Sequence, residues 1–495
     1  MQRFFRLWLL AGLVSCLWAT ELSREEVAKL AEQAREAWDV PGVAVAIVKE
    51  GRVLYQGAHG VKEAGKPDPL TVHSTFHIAS TTKAFTSTAV AMMVDAGKMA
   101  WDDPVRKHLD YFRLADPHAD ALVTLRDLLS HRTGLPRHDV LWVRTGFDRE
   151  NLLRRMAYAK PSEPFRSKYQ YQNLMFTAAG EAAGKASGLG WDALVREQIF
   201  APLGMADSAT TYADALRHTD RAMPHIRKLN QNVAVPWTNY DNIGGAGSIA
   251  SSIADMTAWL RLQVNGGELD GKRLVSEKNL RETQLPNMFN RLTEAQQDLQ
   301  PDFTQTTYGL GWSINHYRGE MLVMHAGVLQ GFRALVTMVP RTRLGMVILA
   351  NRNGTNLPEA LTNTLLDGFL DLAKTRDWNA HMLAATKRTE AKQAEAKAKR
   401  EAERQRNTKP SLDLAKYAGR YWEPAYGEAI VSFAKGKLSL EWARFQGELT
   451  HWHYDRFEAK GEGALAGAAV QFHLDDAGKA GELTLFEQRF VRKKH

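Results

Sequence analysis

FHIASTTKAFTSTAVAMMVDAGK, residues 76–98, is the stretch on which the reading of this chain turns. Phe85, Ala89, Met92, Met93 and Ala96 recur at helical spacing and predict an apolar face, and Gly97 supplies the left-handed stop that ends such a helix. Yet the first turn carries Ser80 and, three residues on, Lys83. Burying an unpaired ammonium group is costly, and a lysine so placed tends to give up its proton. On a helix, positions three apart share a face, so hydroxyl and amine meet. The N-terminal N–H groups of the helix also favour a developing negative charge. The same spacing occurs at Ser432-Phe433-Ala434-Lys435, but there it falls in an alternating strand, where positions three apart face opposite sides. The bland account of the first pair is a capping serine with Lys83 reaching out to water.

Outward from this helix, Ser23-Arg24-Glu25-Glu26 has the capping-box pattern, and Val27, Leu30, Ala34 and Trp38 continue at helical spacing. VAVAIV (43–48) and VLYQGAHG (53–60), joined through Lys49-Glu50-Gly51-Arg52, predict a hairpin. Residues 120–265 read as helices and loops. Strand patterns return at YGLGWSI (308–314), MLVMHAG (321–327), FRALVTMVP (332–340) and LGMVILANR (344–352), with a helix near 357–374. Strands at both ends of a helical stretch make an α/β layer with a helical insert. From Leu412 short alternating strands (YAGRYW, EAIVSFA, KLSLEWA, ELTHWHY) predict a small antiparallel barrel or sandwich. The expected division is a signal segment 1–19, a first globular unit 20–380, a charged helical linker 381–410 and a barrel 411–495.

The chain of 495 residues has a formal charge of +8, but the excess is local. Residues 387–409 hold nine Lys/Arg against four Glu, and Arg3 and Arg6 add two more positive charges. With the remainder nearly neutral, a nucleic-acid surface is not expected. Arg3 and Arg6 precede an apolar run from Leu7 to Ala19, too short to span a bilayer and of the form of a secretory signal. Cleavage near Ala19 gives a periplasmic or extracellular protein. Leu13-Val14-Ser15-Cys16 alternatively resembles a lipobox, which would anchor the protein to a membrane through lipidated Cys16. That cysteine is the only one, so no internal disulfide is expected.

Two further segments carry chemistry. Tyr171-Gln172-Asn173 precedes an apolar helix; a tyrosine beside an amine of lowered pKa can move protons, and an asparagine can hold an amide. Tyr240-Asp241-Asn242 repeats the pattern in another context. His325-Ala326-Gly327 ends a strand whose small residues let a substrate backbone lie against its edge. Two patterns have structural explanations: His451 and His453 share a strand face but lack a third ligand at metal-site spacing, and Ser252 with Asp255 reads as a helix start.

In order, STTK (80–83), YQN (171–173) and HAG (325–327) resemble the serine β-lactamase and penicillin-binding superfamily, in its class C, DD-peptidase, D-aminopeptidase and esterase branch. TLRDLLSHRTGL (124–135), IFAPLGMADSATT (199–211), GGAGSIASSIADMTAWL (244–260) and YGLGW (308–312) fit the same pattern over about residues 24–370, and the tail resembles the small β-barrel often appended to such hydrolases. The resemblance implies an antiparallel sheet flanked by helices with an all-helical insert. It implies Ser80 as nucleophile, Lys83 and Tyr171 as its proton relay in unspecified order, and the backbone N–H groups of Ser80 and Val328 as oxyanion hole. It also gives Asn173, His325 and Gly327 to the substrate, with no cofactor and no metal. One departure is informative: the lactamase form of the third motif has a lysine where His325 stands, and a histidine supplies less positive charge at neutral pH. The expected substrates are therefore short peptides, D-amino-acid amides or small esters. A β-lactamase or DD-carboxypeptidase, and a non-catalytic ligand-binding protein of the same fold, are the alternatives.

Overall fold

Ser23 and Glu26 exchange hydrogen bonds in a capping box that starts α1 (Arg24–Ala37). This computed structural model describes residues 22–493, so the signal segment 1–19 and Cys16 lie outside the described residues. The chain enters a sheet through β1 (Gly42–Lys49) and β2 (Arg52–Gly60). Far downstream it returns with β3 (Met288–Phe289), β4 (Phe303–Tyr308), β5 (Ser313–Tyr317), β6 (Glu320–Leu329), β7 (Phe332–Val339) and β8 (Leu344–Ala350). The eight strands pair antiparallel in the order β2-β1-β8-β7-β6-β5-β4-β3. β1 lies on β8 with Val43 opposite Ala350 and Lys49 opposite Leu344, so the first and last parts of the sheet meet one strand in from its β2 edge.

Successive side chains on a strand face opposite sides, and here both sides are dry. Ala44, Ala46 and Val48 of β1 enter one core, whereas Val43, Val45 and Ile47 enter the other. β8 divides likewise, with Val347 and Leu349 on one side and Met346, Ile348 and Ala350 on the other. Burial on both faces is why these strands read as unbroken apolar runs rather than alternations. The insert between β2 and β3 supplies the helices of the first core: α2 (Thr82–Asp95), α3 (Asn173–Ser187) and α4 (Ile253–Val264). Phe85 of α2 stacks on Trp259 of α4 with ring centroids 3.8 Å apart. The second core is covered by α1, α5 (Leu357–Phe369) and the first turns of α6 (Trp378–Ala402).

The structure departs from the sequence reading in three places. α2 is buried on nearly every side from Thr82 to Ala91 rather than along one face, because helices pack around it, while Ala96 is exposed. Ser80 belongs to a 3₁₀ turn, Ala79–Thr81, that precedes α2. The expected linker, 381–410, is docked at its start: it continues the helix α6, Met382 and Ala385 are buried, and Arg388 pairs with Asp298 at 2.7 Å. No helix among the described residues is long and apolar enough to cross a membrane.

The C-terminal strands are β9 (Gly419–Glu423), β10 (Gly427–Ala434), β11 (Lys437–Trp442), β12 (Phe445–His453), β13 (Arg456–Gly461), β14 (Ala466–Leu474), β15 (Ala480–Leu485) and β16 (Gln488–Arg492). Each pairs with the next, and β9 closes on β16 through Tyr421–Arg492 and Trp422–Val491, so barrel rather than sandwich is realised. Tyr417, Tyr421, Trp442, Phe457, Phe472 and Phe490 fill the interior, with Tyr417 and Phe472 centroids 4.8 Å apart. Ser432 lies on β10 opposite Ser439 and Lys435 sits in the following turn, so the second Ser-x-x-Lys forms no site.

Candidate active site

Before α2 the backbone turns sharply. Ala79 has φ +52°, a left-handed conformation that costs a residue with a Cβ about 1–2 kcal/mol and survives only where the surroundings enforce it. Ser80 follows, half-buried, and Lys83 stands one turn on with no exposure at all. Lys83 Nζ lies 2.8 Å from Asn173 Oδ1, 2.9 Å from the Ala246 carbonyl and 3.2 Å from Ser80 Oγ. Two of these partners can only accept. A neutral amine has two N–H bonds and one lone pair, so its donors satisfy Asn173 and Ala246 and the lone pair is left for the Ser80 hydroxyl. Burial holds the Lys83 pKa well below the usual lysine range; the Arg137 charge lowers it further and Asp139 opposes.

Asn173 is oriented from behind. Its Nδ2 donates to Asp139 Oδ1 at 3.2 Å, which leaves Oδ1 for Lys83. It opens α3, whose N-cap Gln172 accepts from the Leu174 N–H at 2.8 Å, and the Gln172 N–H donates to His131 Nδ1 at 3.1 Å. Asp139 also accepts from Arg137 Nε at 2.6 Å and from Trp142 Nε1 at 2.9 Å. Tyr171 lies between Lys83 and Arg137, its ring centroid 4.6 Å from Lys83 Nζ and 4.8 Å from the Arg137 guanidinium. Burial pushes its pKa up, while a hydrogen bond with Ser80 and the Arg137 charge pull partly back; the phenol stays protonated at neutral pH.

The sheet contributes an edge. β5 pairs with β6 only as far as Ser313–Met324, whereas β7 pairs with β6 through Leu329–Phe332. From His325 to Leu329 the β5-side edge of β6 therefore lacks a strand partner, and the Ser80 turn occupies that place. Leu329 and Phe332 flank a two-residue turn, and in antiparallel pairs hydrogen-bonded positions alternate with unbonded ones. Val328 falls on an unbonded position, so its N–H is aimed at the free edge, and its side chain is 50% exposed. Gly327 is required by close approach: a Cβ there would lie 2.3 Å from the Ile78 carbonyl and 3.1 Å from Ala79 Cβ.

His325 is placed differently from expectation. It is buried, with Nδ1 2.8 Å from the Ala326 carbonyl and Nε2 3.0 Å from the Tyr308 hydroxyl. Nδ1 therefore carries the proton and Nε2 accepts from Tyr308. Burial, with the nearby Lys83, lowers its pKa to about 3. It is a neutral support with no free nitrogen for a ligand. The other signals have local explanations: Ser252 caps α4 by accepting from the Asp255 N–H, Asn242 donates to the Trp142 carbonyl at 2.8 Å, and His451 and His453 hydrogen-bond to the Tyr454 carbonyl and the Gln405 N–H.

The structure thus gathers Ser80, Lys83, Tyr171, Asn173 and the His325–Val328 edge into one cluster. Sequence reasoning did not single out Asp139, Arg137, His131, Tyr308 or the Ala246 carbonyl. Three of these lie in segments that carry the family pattern (LLSHRTGL, GGAGSIASS, YGLGW), whereas Asp139 and Arg137 sit in a loop with no pattern.

An antiparallel sheet with an inserted helical layer and a serine–lysine pair at their junction defines a class, the serine hydrolases of β-lactamase and penicillin-binding fold. Residues 27–369 match the Beta-lactamase family, and the chain belongs to it; residues 403–494 match a domain family of unknown function, DUF3471. A relative, unguisins hydrolase ungD' of Aspergillus campestris, is 28% identical over 440 residues, covering 82% of this chain and 77% of its own length. Among solved structures, the octameric penicillin-binding protein homologue from Pyrococcus abyssi aligns over 95% of this chain and all of its own, with a TM-score of 0.62 at 20% identity. A class C β-lactamase from Rhodobacter sphaeroides aligns over 70% of this chain and 99% of its own, with a TM-score of 0.56 at 23% identity.

Proposed function

We propose that this serine hydrolase is exported and cleaves amide or ester bonds of small peptides, D-amino-acid amides or esters through an acyl-enzyme on Ser80. The observation that carries the reading is the environment of Lys83: buried, with two N–H bonds engaged by acceptors and its remaining valence 3.2 Å from Ser80 Oγ. Ser80 Oγ attacks the substrate carbonyl carbon and Lys83 takes its proton. The oxyanion accepts from the N–H groups of Ser80 and Val328, each such donor being worth about 3–4 kcal/mol. Tyr171, beside Lys83 and hydrogen-bonded with Ser80, passes that proton to the leaving amine or alcohol as the C–N or C–O bond breaks. Water then attacks the acyl-enzyme, the acid departs and Ser80 regains its hydrogen. The high pKa of Tyr171 favours Lys83 as the first base.

The neutral, doubly engaged His325 supports weak turnover of penicillins, since it offers no cation to their carboxylate. The Aspergillus relative is named for hydrolysing unguisins rather than β-lactams, which is consistent. Export rests on Arg3, Arg6 and the apolar run 7–19, and N-terminal sequencing of the protein from a periplasmic fraction tests it. The catalytic reading is tested with a fluorophosphonate probe on wild type and Ser80→Ala, followed by p-nitrophenyl esters, D- and L-amino-acid p-nitroanilides and nitrocefin. Labelling is expected only in wild type, with a loss of at least about 10³-fold in kcat/KM for Ser80→Ala. Equal labelling of both proteins removes Ser80 from the mechanism, and turnover of nitrocefin alone overturns the substrate assignment.

A further inference from the structure

Past Val328 the free edge of β6 leads to Gln330, where a pocket of about 260 Å³ opens between the hydrolase unit and the barrel. Trp237, 7% exposed, lines it and packs at 4.5 Å on the ring of His77, three residues before Ser80. Arg144 comes from the helical insert and Arg444 from the barrel. Arg444 stands in the two-residue turn between β11 and β12, where Trp442 is opposite Phe445, and its stem crosses Gly146, whose Cβ position is 3.9 Å from Arg444 Cδ. The turn is held in place by Trp442 against Phe147 at 6.5 Å, while Arg155 donates to the Ala425 carbonyl at 2.8 Å.

The polarity of this pocket is one-sided. No carboxylate lines it, and neither Arg144 nor Arg444 has an ion-pair partner among the described residues. Asn239 spends its Oδ1 on the Asp241 N–H at 2.7 Å, and Gln330 spends its Oε1 on the Thr238 hydroxyl at 3.4 Å. What remains free on both amides is the NH₂ group. Two exposed guanidinium groups and two exposed amide donors therefore line a pocket with an aromatic wall, the chemistry of a receptor for a planar anion.

The orientation of the reaction says which part of a substrate arrives there. Tyr171, the donor to the leaving group, lies beside His325 at the near end of the free edge, with ring centroids 6.3 Å apart. The acyl part consequently extends the other way, past Val328 towards Gln330 in the turn that follows β6, a reach of at most about 7 Å for two residues of chain. We propose that the pocket binds a carboxylate carried by the acyl part of the substrate, with Arg144 and Arg444 as its anchors, so that the barrel contributes a specificity-determining residue. The proposal rests on the acyl-enzyme reading of Ser80.

The test compares the p-nitrophenyl monoester of adipic acid with p-nitrophenyl pentanoate, on the full-length protein. In wild type, kcat/KM is expected to favour the anionic ester at least tenfold, with the preference shrinking as salt is raised. Arg144→Ala and Arg444→Ala should each cut the anionic-to-neutral ratio several-fold, Arg444→Lys should keep part of it, and Arg444→Glu should invert it. A wild-type ratio near one, or a ratio that none of these variants moves, overturns the pocket assignment while leaving Ser80 chemistry standing. Undiminished turnover of both esters by Ser80→Ala would instead bring down the acyl-enzyme reading beneath it.

Discussion

Lys83 is a base because it is wholly buried, and burial disfavours the ammonium form. Full burial is the first cause, and two nearby charges, Arg137 and Asp139, act in opposite senses. The neutral form is the working one, so kcat/KM should rise with pH through the Lys83 pKa and fall away below it. Arg137→Ala removes a charge that lowers that pKa, and the acid limb should move to higher pH. Asp139→Asn removes a charge that raises it, and the limb should move to lower pH. Opposite displacements in pH–rate profiles check the assignment; identical profiles for both variants would show that another group controls the limb. His325 should not appear in these profiles near neutrality, since its pKa lies at about 3.

Elements bring these side chains together through contacts with little slack. β6 meets the Ser80 turn at Gly327, where a methyl group would lie 2.3 Å from the Ile78 carbonyl, a backbone atom that cannot swing aside. Gly327→Ala should cost about 1–3 kcal/mol of stability, the usual penalty of overpacking, and at least tenfold in kcat; thermal unfolding and initial rates measure both. The segment before Tyr171 is held by Asp127, wholly buried, which accepts from Arg132 Nε at 2.5 Å and from Arg166 Nε at 2.9 Å. Burial raises its pKa, but the Arg166 bonds, the Thr124 N–H and Arg132 outweigh that and leave it below the usual carboxylate range. Such a group stabilises the fold fully above its unfolded pKa of about 4, and the contribution disappears as pH falls through the lower folded value. Asp127→Asn should cost about 1–3 kcal/mol at pH 7, by weakening the charge-assisted hydrogen bonds from Arg132 and Arg166, and should flatten stability against pH below about 4. How much of this is legible in sequence follows from the range of each contact. Ser80 and Lys83 can be paired from helical spacing alone, and the strands of both domains from their apolar patterns. The Asp139–Asn173 bond spans 34 residues and begins in a loop without periodicity, so only folding reveals it. The role of His325 misleads in sequence because its polarity suggests a ligand, while Tyr308, 17 residues earlier, occupies the nitrogen that a ligand would need.

At the scale of the whole molecule, the barrel is a packed solid whose surface bears on the active site. Its interior is filled by aromatic rings, so whatever it does is done from outside, and it meets the hydrolase unit along residues 138–155, beside the loop that carries Arg137 and Asp139. A polar contact there joins Tyr426 Oη to His138 Nδ1 at 2.9 Å, both residues being buried. His138 has φ +48°, so this loop is held in a conformation that few side chains adopt unaided. Burial lowers the His138 pKa and keeps the ring neutral at physiological pH, so the contact is an ordinary hydrogen bond rather than an ion pair. Tyr426→Phe leaves a buried ring nitrogen unpaired, at about 1–3 kcal/mol. If the barrel were a passenger on α6, that loss would appear only as a lower unfolding midpoint. Because His138 lies between the two residues that bias Lys83, the substitution should also lower kcat/KM several-fold and displace the acid limb, with salt leaving both effects in place. Unfolding curves and pH–rate profiles recorded on the same preparation separate the outcomes, and a fall in midpoint with an unaltered profile would make the barrel a structural appendage.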